Sequence, residues 1–283
     1  MNRAVKWAFA FVLGLVLATA APPAVADAPA AREEVAARFA ADAEAQRVAL
    51  DLFDTLGDEV DVLPPERVDG GYRGMVTLVP ALPVGPVRKH LAWVAGAMHD
   101  FDWFFGALAE AGRGPLRYRW RELTLRFYRS VGNTTPNAFA SEWTVAYNVN
   151  GSLDTSADRV RETLFHEIFH LDDAGHDDWS PKHLTAVQDA IERRCGTRTA
   201  CLAPYAPTAT IVRRGTYYAF QPGNDVHEYA AEVALRWYEE QRAALRGEPR
   251  ARPSFKCGPR ENGVAWAAIS AEFFGGVDLV PPC

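Results

Sequence analysis

The sequence predicts a mixed α+β domain in which a small mixed sheet packs on one amphipathic helix near mid-chain and a mainly helical part follows. Three patterns predict it. Apolar residues recur at helical spacing in 31–56, 87–111, 160–171 and 224–238. In 116–128 and 143–149 the period changes to two, and 75–79 is a short apolar run closed by Pro80 and Pro83. Helical segments therefore stand before and after a cluster of strands.

Taken in order, residues 1–26 have the make-up of a secretory signal. Arg3 and Lys6 form a positive start, Trp7 to Ala21 an apolar run, and Ala24-Val25-Ala26 a small-residue cleavage site before Asp27. Pro22, Pro23 and the shortness of the run argue against a membrane span, which needs about 20 apolar residues. Cleavage after Ala26, with no lasting membrane anchor, is the expectation. Residues 31–56, with Val35, Phe39, Ala43, Val48, Leu52 and Phe53 at helical spacing, predict a helix or helix pair over the core. Pro64-Pro65 and Gly70-Gly71 mark a break before the 75–79 strand.

Residues 87–111 predict a helix with a broad apolar surface, including Trp93, Phe101, Phe104 and Phe105. His90 and His99 lie on it nine residues apart, on different faces, and read as core or surface histidines. The 116–128 alternation sets Leu123, Leu125 and Phe127 against Thr124, Arg126 and Tyr128. Arg117, Arg119, Arg121, Arg126 and Arg129 make it basic, which reads as a solvated face or guarded edge before it reads as a groove for acidic substrate. In 143–149, Trp143, Val145, Tyr147 and Val149 face one way, and the strand ends at Asn150-Gly151, shortly before the next helix. A strand there could pair with an extended peptide by β-augmentation.

That next helix carries His166-Glu167-Ile168-Phe169-His170. Val160, Leu164, Ile168 and Leu171 fall within roughly 80° of one another, a core-facing stripe widened by Phe165 and Phe169. His166 and His170, four apart on the other side, can direct their imidazoles at one cation, and Glu167 stands next to it, placed to take a proton from water. Two histidines four apart also occur by chance on ordinary amphipathic helices, so a third ligand decides the matter. His176 has metzincin spacing, but position 173 is Asp where that pattern has Gly, and all three methionines precede the motif, which excludes a downstream Met-turn. Residues 172–179 read more simply as a polar loop leaving the helix. The other candidate is a carboxylate of the 224–238 helix, capped by Asn224 or Asp225, with Glu228 and Glu232 four apart on one face. Such a carboxylate completes a His, His, Glu set with one position open.

With these residues together, the chain resembles the gluzincin metallopeptidases, most closely the anthrax toxin lethal factor-like group. The resemblance rests on His166-Glu167-Ile168-Phe169-His170 and Glu228-Tyr229-Ala230-Ala231-Glu232 and covers roughly residues 140–240. It implies a zincin-like fold, Zn2+ bound by His166, His170 and Glu228, Glu167 as general base, and Glu232 holding a ligand imidazole. In that group a tyrosine shortly before the third ligand assists the oxyanion. Tyr217 and Tyr218 both precede Glu228, at a longer spacing than usual, and Tyr218 is the choice.

The expected activity is zinc-dependent hydrolysis of peptide bonds in a peptide or protein substrate. The alternative is a secreted zincin-fold binding or structural domain that cleaves nothing. A formal charge of −6 argues against nucleic acid as a partner. Four cysteines, all after residue 194, suit an oxidising compartment, so a secreted or periplasmic location is expected. Of three possible pairings, Cys195–Cys201 and Cys257–Cys283 are expected. The chain is expected to divide into 27–180, with the sheet and zinc-binding helix, and 181–283, mainly helical, with the third ligand and the disulfides. The substrate cleft would lie between them.

Overall fold

The computed structural model describes residues 28–69, 74–112, 114–212, 215–249 and 253–283. The signal segment 1–26 and the Gly70-Gly71 break lie outside the described residues. Two helices, α1 (Ala28–Arg38) and α2 (Ala43–Leu56), come first among the described residues. Asp42 caps α2 by accepting the Ala45 N–H, and Gly57 ends it at φ +74°, a conformation that suits a residue without Cβ. Strands β1 (Glu59–Val62), β2 (Glu66–Asp69) and β3 (Met75–Pro80) follow, then the long α3 (Arg88–Ala111) and strands β4 (Thr124–Ser130), β5 (Ala138–Ser141) and β6 (Thr144–Asn148).

The sheet is mixed, and β4 is its centre. On one side β4 pairs in parallel with β6, which pairs antiparallel with β5. On the other, β1 runs parallel to Thr124–Phe127 of β4, and β3 antiparallel to Tyr128–Ser130, with β2 forming a hairpin on β3. Period two has the expected result. Leu125, Phe127, Val145 and Tyr147 enter the main core beneath the helices, whereas Tyr128 and Ala146 join Leu63, Val76 and Leu78 on the opposite face.

Several sequence expectations need correction. Residues 116–123 are not strand; β4 begins at Thr124. Tyr118 is buried among Phe105, Phe165 and Phe274, while the backbone N–H groups of Arg117 and Arg119 are taken by Phe273 O and Asp172 Oδ1. Alternate burial against helices therefore imitates a strand. Two arginines of this stretch pair with acids of helices elsewhere in the chain, Arg117 with Glu272 and Arg121 with Asp102. Strands β1, β2 and β5 were not expected; four residues each is too short for a periodic signal. Finally, β6 has partners on both edges, so an added peptide strand has no place there; β5 is the outer strand.

Helix α4 (Ala157–Gly175) carries the two histidines. Ser156 caps it by accepting the Arg159 N–H, and Val160, Leu164, Phe165, Ile168, Phe169 and Leu171 are buried. It packs against α3, β5 and α8 (Val226–Arg246). Asp172 and Asp173, expected in a polar loop, are helical and buried. The C-terminal part holds α5 (Trp179–His183), α6 (Thr185–Cys195), α7 (Thr199–Leu202), α8 and α9 (Arg260–Phe273). Among the described residues it has no strand beyond isolated bridges. Cys195–Cys201 ties α6 to α7, and Cys257–Cys283 fastens the tail. One apolar cluster extends from Val35 to Val280, so both parts share a core. Among the described residues, no helix is long and apolar enough to cross a membrane.

Candidate metal centre

The α4 stripe is pressed into the core, so the face bearing His166 and His170 turns towards α8. There Asp225 caps α8 by accepting the His227 N–H at 3.0 Å, and Glu228 sits in the first turn. Three side-chain atoms converge. His166 Nε2 and His170 Nε2 are 3.1 Å apart, and Glu228 Oε2 lies 3.0 Å from the first and 3.8 Å from the second. On the other side of the His166 ring, Nδ1 is 3.2 Å from Glu232 Oε1. A carboxylate only accepts, so Nδ1 carries a proton towards Glu232, and Nε2 is the nitrogen turned to the point of convergence.

Such an arrangement could hold a cation. Two imidazole lone pairs and a carboxylate oxygen cannot satisfy one another without a proton or a metal ion between them. The titration directions reflect the same closeness of imidazole and carboxylate. Burial opposes a charge on His166, yet the hydrogen bonds and charges of Glu228 and Glu232 outweigh it and hold its pKa well above the usual value. Burial would raise Glu228, but its bonds with His166 and His170 hold it far below the usual carboxylate range. The donor set of two imidazoles and one carboxylate suits zinc.

Around this point stand the remaining residues of interest. Glu167 is shifted upward chiefly by burial, with the two histidines pulling the other way. Tyr218, in a short 3-10 turn, lies within reach of the Glu228 charge, and its ring centroid is 5.9 Å from that of His166. Burial first and the Glu228 charge second push its pKa up, so the phenol stays a donor. Tyr218 lines the cleft, whereas Tyr217 packs against the core. His176 is turned elsewhere: Nδ1 bonds Glu272 and Nε2 bonds Arg117 O, both at 2.8 Å. His90 is buried against the Tyr147 hydroxyl, and His99 pairs with Asp51.

The cleft has a volume of about 310 Å³. One wall is the chain entering β5, Thr135 to Ala138, with Leu153; the floor is Thr163, His166 and Glu167 of α4; the far wall is Thr210, Tyr218, Glu232 and Leu235. It thus draws on residues from both sides of position 180. Two contributors carry no signal in sequence. The Thr208 hydroxyl donates to Glu232 Oε2, opposite the oxygen facing His166. Asp154, buried in the loop before α4, has its pKa raised to about 7 by burial, with Thr163 opposing the rise and Glu167 adding to it. Comparison of the chain with protein-family models, curated proteins and solved structures finds no match.

Proposed function

We propose that this chain is a zinc-dependent peptidase of gluzincin type with a zincin-like fold, acting on peptide or protein substrates outside the cytoplasm. The observation that carries the reading is the meeting of His166 Nε2, His170 Nε2 and Glu228 Oε2 with the Glu167 carboxylate beside them. A zinc ion held there would supply the Lewis acidity that makes water a nucleophile at neutral pH and polarises a carbonyl. The chain's own groups do the rest. Glu167 takes the proton of the attacking water and passes it to the departing amine, and its raised pKa brings it nearer to neutrality for both transfers. Glu232 keeps His166 in the tautomer that offers Nε2. The Tyr218 hydroxyl, kept protonated, is a donor for a developing oxyanion. The outer strand β5 offers main-chain groups to an extended peptide, and Ala138, Leu153 and Leu235 give it apolar contact. Two disulfides support an oxidising location.

The test combines elemental analysis of the chain purified without added metal with digestion of a peptide library. Stoichiometric zinc and cleavage are expected, and Glu167→Gln should keep the zinc while turnover falls by about 100-fold or more. Zinc without cleavage would leave a metal-holding binding domain. Full turnover by Glu167→Gln would refute the assigned mechanism.

A further inference from the structure

Helices α4 and α8 pass one another in opposite directions, and their polar contacts follow in order. His166 Nδ1 meets Glu232, His166 Nε2 meets Glu228, and one turn beyond His170 the Asp173 carboxylate meets His227 Nδ1 at 2.8 Å. His166, His170 and Asp173 share one face of α4, since positions four and seven residues on return to nearly the same direction. The last contact involves no metal-binding atom, yet it is built with care. Asp173 is wholly buried, and its other oxygen accepts the Ser180 N–H at 2.8 Å. A carboxylate in the last turn of a helix works against the macrodipole, so its presence there calls for an engaged partner.

The partner sits at a vulnerable place. Glu228 belongs to the first turn of α8, where backbone donors lack intrahelical acceptors and helices fray. His227, the residue before it, is held twice: its N–H by Asp225 and its imidazole by Asp173. We propose that Asp173 and His227 are positioning residues for the metal, locking the first turn of α8 onto α4 so that Glu228 faces His166 and His170 before the ion binds. Like His170 and Glu228, neither residue lines the cleft. The inference rests on the zinc reading above.

Asp173→Ala would also strip Ser180 of its acceptor and disturb folding, so the decisive variants are at His227, whose side chain is 31% exposed. In the full chain, His227→Ala removes the contact, and His227→Asn retains a donor near the place of Nδ1. Zinc affinity is measured on metal-stripped protein by competition with a chromogenic chelator, beside thermal unfolding of the same samples. His227→Ala should bind zinc about ten- to a hundred-fold more weakly, and His227→Asn should recover most of the loss. Unchanged zinc affinity in His227→Ala, even with a lowered Tm, would reduce the pair to a structural tie and overturn the proposal. Equal weakening in both variants would overturn it too, because the hydrogen bond would not be the cause. A parent chain that takes up no zinc would instead overturn the zinc reading itself, and this role with it.

Discussion

Asp100 on α3 and Glu228 on α8 are both carboxylates held between helices by several hydrogen bonds, but what faces them is opposite in kind. Asp100 receives Tyr238 Oη at 2.5 Å, the Arg242 guanidinium at 2.7 and 3.0 Å, and Arg246 at 2.6 Å. Everything aimed at it is a donor. Burial would raise its pKa, yet Arg242 and Tyr238 outweigh burial and hold it below the usual value. Glu228 meets two imidazole nitrogens that also face each other. The first network is complete within the chain, while the second gathers nitrogen and oxygen acceptors that could hold a proton or a metal ion. Density of charge is thus a poor marker of function; whether acceptors face donors or other acceptors is a better one.

The largest effect should come from breaking the open network. Glu228→Ala should reduce bound zinc from stoichiometric to trace in elemental analysis and abolish peptide cleavage, as removal of the metal by a chelator should in the parent chain. Zinc retained by Glu228→Ala would erase the contrast, because the carboxylate would then be an ordinary helix-terminal acid. Asp100→Asn tests the other side. It places an amide N–H2 among guanidinium donors and leaves Arg242 without its counter-charge, so it should cost about 3 kcal/mol of unfolding free energy in urea titration. Zinc content should not change. A loss of zinc in this variant would show that the two networks are coupled through α8.

The same contrast explains what was legible in the sequence. His166, Glu167 and His170 were visible because their spacing is local to one helix, and α3, α4 and α8 because apolar periodicity persists over several turns. Glu228 could be singled out from Glu232 only through the resemblance, since as a pattern the two are interchangeable. What escaped are contacts between distant segments. Asp172 and Asp173 looked like loop because carboxylates at a helix end oppose the dipole, and the groups that hold them, the Arg119 and Ser180 N–H groups and His227, lie elsewhere in the chain. Likewise 116–123 imitated a strand because burial against two helices can alternate as regularly as pairing does. The short β1, β2 and β5 are strands by virtue of their neighbours, which no four-residue window reveals.

A third carboxylate sharpens the comparison at smaller scale. Asp154 is 4% exposed and has neither the cations of Asp100 nor the imidazoles of Glu228; burial, and after it the Glu167 charge, raise its pKa to about 7. The loop wraps it closely, since a Cβ on Gly151 would collide with its carboxylate. Because the folded pKa lies above the unfolded one, the stability that neutral Asp154 contributes is present in acid, declines as pH rises above the unfolded value, and is gone above about pH 7. Asp100 has the reverse sign: its contribution is present above the unfolded carboxylate pKa and lost as pH falls through the lower folded value. Asp154→Asn cannot ionise, so relative to the parent it should gain about 2 kcal/mol between pH 5 and pH 7. Urea midpoints of metal-stripped protein across that range measure the gain. Parallel profiles for variant and parent would mean that Asp154 stays ionised in the folded chain, and that a cation, not yet accounted for by its neighbours Thr163 and Glu167, reaches it.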